Sequence, residues 1–404
     1  MKKITSFQSY FALSCVILLL AGLQTGISPF LTIYLKAELQ WDPGQIGITL
    51  GIMNFANMLN QIPSGLLIDA YKIKRLLLVG SCLIFAISCF LIAQFPYFPA
   101  IISAQILIGL ATAIMPKAIV AITLGLVGTR KFPQRESINE TLGHAGNIIL
   151  ALIVGVCSYY SGNIWIIYSY GLFSILGILP IFLIKEKDID HDIARQLAPV
   201  DLDTEKKEIV SLKQILLSRT NIIFLISVFL FHFSSAAQLT LIGLIFVQVS
   251  TKACSIFMAN SIIISHIVMM FVSILLVYFI KNIPRKPLFL LAFLCVFIRA
   301  ILFTFSHNPY FIIALQILDG ISGGIFGVIG IVMVSELATH SGRFNFMLGL
   351  MVLCQGLAYA ISNFASGYIV KLYNYNMGFY TLAFFALIGL ILFLSLMPET
   401  LKRN

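Results

Sequence analysis

Three ionisable residues sit inside long apolar runs: Lys117, Arg299 and Asp319. At the centre of a hydrocarbon layer such a side chain costs at least about 2.5–3.5 kcal/mol on insertion scales, so each needs a compensating role. Asp319 admits two. It is either a proton-binding carboxylate or the structural ion-pair partner of Arg299, which lies at comparable depth on the other side of the polar turn at Asn308 and Pro309. Lys117 has no carboxylate in the neighbouring sequence, which leaves a substrate anion, a water-filled cavity or a snorkelling path to accommodate it. His144, His232 and His266 are suited to carrying protons near neutral pH, but a lone histidine among apolar helices is commonly just a hydrogen-bonding group. All three rank below Asp319 as coupling sites.

Uncharged polar residues interrupt the same runs: Gln24, Asn54, Asn57, Gln61, Gln105, Asn147, Gln238, Asn260, Gln316 and Gln355. Helical spacing groups some of them, since Gln355, Tyr359, Ser362 and Ser366 recur at i, i+4, i+7 and i+11, and Asn54, Asn57 and Gln61 form a similar face. Any one of these is satisfied by an interhelical hydrogen bond worth about 1 kcal/mol. The stripes taken together argue for a polar interior.

The elements that must position these groups follow from composition. Hydrophobic residues make up 59% of 404 and charged residues 10%, more apolar than a water-soluble core requires. Each run must cross about 30 Å of hydrocarbon with roughly 20 helical residues, and polar punctuation divides the chain into about twelve spans. They are expected near 9–35, 46–69, 76–95, 99–127, 141–161 and 164–184, then 220–248, 255–280, 288–306, 309–334, 348–371 and 376–397. The fold class is therefore an all-α polytopic membrane protein. Its expected divisions are a six-helix half at 1–184, a cytoplasmic linker at 185–219 and a second six-helix half at 220–404.

Lys and Arg resist translocation, so their distribution orients the chain. With a cytoplasmic N-terminus, only Lys36, Lys252 and Lys371 of the 26 basic residues fall outside, and only Lys117 and Arg299 fall within spans. Both termini are then expected in the cytoplasm. The net charge of +10 is mostly topological, and no basic patch with interleaved aromatics supports a nucleic-acid partner. The first apolar run continues to Leu35 without a small-residue cleavage site and reads as a retained span. The seven cysteines fall in spans or at their ends and form no CxxC pair, so neither a disulfide framework nor a zinc site is expected. In the linker, DIDHDI (Asp188 to Ile193) reads as a solvated acidic loop rather than a metal site, and Leu212, Ile215 and Leu216 make a short apolar stripe suited to the membrane surface.

The halves are related. AQILIGLATAI (Ala104 to Ile114) and LQILDGISGGI (Leu315 to Ile325) align at an offset of 211 residues, which also carries Lys74 and Arg75 onto Arg285 and Lys286. Internal duplication in so apolar a chain points toward a transporter.

The loop PSGLLIDAYKIKRLLLVG (Pro63 to Gly80) resembles the signature loop of the major facilitator superfamily, G-x-x-x-D-[RK]-x-G-[RK]-[RK]. Gly65 and Asp69 hold its defining positions, Ala70, Lys72 and Ile73 depart from it, and Lys74 and Arg75 restore positive charge nearby. The resemblance implies two pseudo-symmetric six-helix halves, a solute cavity lined by spans 1, 2, 4, 5, 7, 8, 10 and 11, and a cytoplasmic gate held by Asp69, Lys74 and Arg75. For the two bases, positive-inside anchoring explains the charge equally well. The spacing of Glu336 and Arg343 is similar to a gate motif of sugar porters, beside the alternative of a solvated pair. The cavity residues so implied are Gln24, Asn54, Asn57, Gln105, Lys117, His144, Asn147, His232, Gln238, Gln316, Asp319, Gln355 and Tyr359. Where many proton-coupled members carry an Arg in R-x-x-x-G, this chain has Gln105 before Gly109, so coupling must use other groups if it occurs.

DGISGGIFGVIG followed by SGRFN resembles a bacterial subgroup that includes exporters of carboxylate siderophores. The resulting expectation is a proton-coupled secondary transporter of the bacterial inner membrane that exports a small organic, siderophore-like anion. Uptake of such an anion is the alternative, and a non-transporting receptor or a membrane-embedded enzyme is the alternative of another class. Expected partners are the lipid bilayer, a small solute and protons, with no cofactor and the chain a monomer. No GxxxxGK[ST] loop, HExxH or GxSxG occurs.

Overall fold

A computed structural model describes residues 7–25, 27–194, 212–279, 283–337 and 344–401. Every regular element among them is a helix, the form that lets apolar sequence satisfy its backbone hydrogen bonds internally in lipid. Nine helices among the described residues are long and apolar enough to cross a bilayer, ten if the two pieces of span 1, Phe7–Thr25 and Ile27–Ala37, bent by 42°, count as one. Two of the expected spans fail that test for visible reasons. Span 2 is divided at Asn60 into Pro43–Leu59 and Gln61–Ala70, and span 9, Arg285–Leu302, carries Arg285, Lys286 and Arg299. The others are Lys74–Gln94 (span 3), Phe98–Gly128 (4), Ile138–Ser161 (5), Ile164–Leu183 (6), Arg219–Val249 (7), Cys254–Phe279 (8), Pro309–Leu337 (10), Phe344–Leu372 (11) and Tyr375–Leu396 (12).

The boundaries are written in local chemistry. At the start of span 2, Asp42, Pro43 and Gln45 form a reciprocal cap: the Gln45 N–H donates to Asp42 Oδ1 at 3.0 Å and the Asp42 N–H to Gln45 Oε1 at 3.2 Å. Asn308 and Asn374 cap spans 10 and 12 by accepting from the N–H groups of Tyr310 and Met377. Between spans 4 and 5 the chain turns at Gly128, whose φ of 74° suits glycine.

The chain forms two compact units, and each sequence half lends the other a short piece. One unit gathers residues 1–41, 52–202 and 250–263; the other gathers 42–51, 203–249 and 264–404. In the first, Gly109 of span 4 packs against the backbone of span 2, where an added Cβ would lie 2.9 Å from Ala56 Cβ and 3.0 Å from Asn57 N. Spans 3 and 6 are joined by Ser174 Oγ, which donates to Cys82 O at 2.8 Å. The piece 250–263 attaches through Asn163, whose Nδ2 donates to Thr251 O at 3.4 Å and to Glu38 Oε1 at 3.1 Å.

The second unit is built on an aromatic core from spans 7, 9, 10 and 12. Phe231 stacks on Phe326 at 4.9 Å between centroids, and Phe289 on Phe393 at 4.6 Å. Its piece 42–51 is seated on span 11 at Gly47, where a Cβ would lie 2.6 Å from Asn363 O and 3.1 Å from Gly367 Cα. Asp42 and Lys371 pair at 3.2 Å alongside.

The linker differs from the sequence expectation. Its start is a docked strap, not a solvated loop: Ser9 Oγ donates to Asp188 Oδ2 at 2.6 Å, the Asp190 N–H to Gly125 O at 2.9 Å, and Ile189 is buried. The apolar Ile189 and Ala194 anchor it on span 4. No group of metal-ligating side chains forms there among the described residues.

Candidate functional site

In the first unit the break in span 2 meets span 4. Asn60 has φ −84° and ψ 0°, which breaks the helix, and the Gln61 carbonyl and Ser64 hydroxyl follow just beyond it. Lys117 takes them, its Nζ donating to Gln61 O at 2.6 Å and to Ser64 Oγ at 2.7 Å. Around it Asn57 Nδ2 reaches Thr112 Oγ1 at 3.0 Å, Asn60 Nδ2 reaches Leu110 O at 2.9 Å, and Gln61 Nε2 reaches Asn57 Oδ1 at 2.8 Å. Much of the Asn54, Asn57, Gln61 face is therefore spent between helices. No carboxylate faces Lys117 among the described residues.

The second unit holds a charged network across spans 7 to 10. Arg299, 2% exposed, pairs with Asp319, and its Nε donates to Gln238 Oε1 at 2.7 Å while Nη2 reaches Ser235 Oγ at 3.3 Å. Asp319, 20% exposed, accepts Ser265 Oγ at 2.5 Å through its other oxygen. The carboxylate thus ties spans 8 and 9 to span 10 and stays within reach of water. His232 stands in an aromatic setting, 4.4 Å from the Phe326 ring and 5.4 Å from that of Tyr359, with Nε2 buried and unpartnered.

The expected stripe on span 11 divides. Ser362 Oγ donates to Phe233 O at 2.6 Å and is buried against span 7, whereas Gln355 is half-buried and Tyr359 exposed. Gln105 and its repeat mate Gln316 are both buried, and both keep an unpartnered Oε1. Leaving such a group unpaired costs about 1–3 kcal/mol, which water or solute would relieve. Asn147 Nδ2 donates to Gly143 O within span 5, His144 beside it is half-buried, and Asn54 is half-buried on span 2. Gln24 lies on span 1, its side chain outside the described residues.

Of the gate residues, the Asp69 side chain and Arg343 also fall outside them. Lys74 is buried and closes the end of span 2 by donating to Ile68 O at 3.1 Å. Arg75 donates to Ile181 O and Phe182 O, both at 3.2 Å, and to Glu186 at 3.1 Å. Gly65 has open space where a Cβ would stand, with no close backbone approach there. Glu336 is engaged by Arg285 at 2.9 Å and by Thr400 Oγ1 at 2.5 Å.

Several groups escaped the sequence reading. Glu399 accepts the backbone N–H groups of Arg285 and Lys286 at 2.9 and 3.1 Å, capping span 9. Burial pushes its carboxyl up, but N–H groups of Leu401, Arg285, Lys286 and Thr400 outweigh that and hold it below the ordinary glutamate value. Ser64, Ser235 and Ser265 were missed because single serines in apolar helices carry no distinguishing pattern.

The family model of the Major Facilitator Superfamily matches residues 13–298 and 228–404. The chain belongs to the major facilitator superfamily. It is 31% identical over 387 residues to an MFS-type transporter of Mycobacterium tuberculosis, covering 95% of this chain and 92% of that one. Among solved structures, the nucleoside transporter NupG matches with a TM-score of 0.75 at 17% identity, over 96% of this chain and 98% of its own. A mutant of the peptide transporter POT matches at 0.77 and 13% identity, over 96% and 93%. The xylose transporter XylE of E. coli, in a partially occluded inward-open conformation, matches at 0.69 and 13% identity, over 98% and 99%. This superfamily member is a multi-pass membrane protein of the secondary-transporter type.

Proposed function

We propose that this superfamily member is a proton-coupled uptake permease for a small organic anion, residing in a bacterial inner membrane with both termini cytoplasmic. The observation that carries the reading is the double engagement of Asp319 by Arg299 and Ser265. A proton on Asp319 removes the charge that neutralises Arg299, and a buried guanidinium left so is unstable by several kcal/mol. An anionic solute can replace the lost carboxylate. Proton and anion then favour each other's binding, which is the linkage a symporter needs. Lys117 faces no carboxylate among the described residues and gives the first unit a positive group of its own.

Uptake is preferred to the export first expected from the sequence. The solved relatives in fold are named for nucleosides, peptides and xylose, which favours a metabolite permease over a siderophore exporter. Counterflow in reconstituted vesicles, with labelled succinate, citrate, uridine and xylose as probes, tests the reading. Exchange of a carboxylate, accelerated by an inward proton gradient, is expected. Saturable binding without exchange, or exchange of uncharged probes alone, would overturn it.

A further inference from the structure

A cleft of about 520 Å³ opens in the first unit where span 3 leaves its preceding loop and span 6 meets the strap. Lys72, Arg75 and His191 bring basic chemistry to it, and Ile73, Leu76, Val79 and Phe182 give it apolar walls. Arg75 anchors its base. Of the five N–H groups of a guanidinium, Arg75 directs three to Ile181 O, Phe182 O and Glu186, which leaves two for another acceptor. His191 Nε2 donates to the Glu186 carboxylate at 2.9 Å, while its Nδ1 is buried without a hydrogen-bond partner. Glu186 is shared by both bases, and Lys185 and Lys187 flank it in sequence.

Two apolar stripes run away from this cleft. On span 3, Leu76, Leu83, Ile87 and Phe90 are exposed at i, i+7, i+11 and i+14. On span 6, Leu172, Ile175, Leu179 and Phe182 are exposed at i, i+3, i+7 and i+10. Helical spacing keeps each set on one face, and in a membrane protein such faces are covered by acyl chains. Leu76 and Phe182 end the stripes and also line the cleft. Basic groups thus stand where head groups lie, directly above two tracks for hydrocarbon.

We infer that this cleft binds the phosphate-bearing head group of an anionic glycerophospholipid, whose acyl chains lie along the exposed faces of spans 3 and 6. The phosphate accepts from the unused N–H groups of Arg75, with Lys72 supplying charge at the rim; His191, whose Nε2–H is held by Glu186, adds an Nδ1–H donor in its imidazolium form. A soluble phosphate would use the same donors but gain nothing from the stripes.

Native mass spectrometry of the full chain in detergent, with equimolar phosphatidylglycerol and phosphatidylcholine, tests the assignment. One phosphatidylglycerol should be retained in preference to phosphatidylcholine. Arg75→Gln should lower that retention at least fivefold. Glu186→Gln removes the competing carboxylate and should raise it, an opposite change that a folding defect would not produce. Retention unaltered in both variants overturns the inference, as does displacement of phosphatidylglycerol by millimolar inorganic phosphate, which would mark a soluble-anion site instead.

Discussion

Removing the Asp319 charge should destabilise the second unit through Arg299 rather than through Asp319 itself. Arg299 is 2% exposed and keeps Gln238, Ser235 and the face of the Phe303 ring, none of them charged, when Asp319 is replaced by Asn. Breaking a buried pair by one partner costs about 3–5 kcal/mol. Asp319 is partly wet and Asn can still accept from Ser265, so the lower end applies, about 3 kcal/mol for Asp319→Asn. Arg299→Gln should cost a similar amount by stranding the carboxylate. The double variant strands neither charge, and its cost should fall short of the sum of the singles by about 2–3 kcal/mol. Equilibrium unfolding of the purified protein in mixed detergent and SDS micelles measures all three differences. Additivity within about 0.5 kcal/mol would refute the coupling.

Three further outcomes follow from the geometry. Lys117→Gln should weaken counterflow of carboxylate solutes at least fivefold while sparing neutral ones, and equal losses for both would remove its role in anion attraction. Gly109→Ala should lower stability by about 1–3 kcal/mol, because its Cβ meets the backbone of span 2, whereas Gly65→Ala, with open space, should change it little; similar shifts in both would contradict the packing. At Asp42, burial favours the protonated form but the N–H of Gln45, Lys371 and the N–H of Gly44 prevail and hold its pKa below the ordinary value. Its contribution is therefore present above the unfolded aspartate pKa of about 3.9 and is lost as pH falls through the lower folded value. Asp42→Asn should cost up to about 1 kcal/mol at pH 7, a small figure because both partners are exposed. A cost that persists at pH 2 would point to some other cause.

What could be read from sequence depended on whether the signal was local. Asn308 and Pro309 predicted a tight hairpin and so placed Arg299 and Asp319 at matching depth, and the pair is formed. Lys117 was harder to place because its acceptors are not carboxylates. A backbone carbonyl and a hydroxyl at a helix break satisfy it, and the only sequence signal was Pro63 shortly after Asn60. Ser362 shows the limit of periodicity, since a face in register with Gln355 and Tyr359 still buried one hydroxyl against span 7. The strap at 188–194 was misread because charge dominated its composition, while the deciding residues were Ile189 and a glycine more than sixty positions away, Gly125.

The central claim is that a proton on Asp319 and an anion near Arg299 bind in support of each other. Adding a transported carboxylate to lightly buffered proteoliposomes, with external pH recorded, measures this directly. The native protein should alkalinise the bath as solute enters, and Asp319→Asn should abolish that signal while still exchanging labelled solute. Solute entry without any pH change in the native protein would contradict the account.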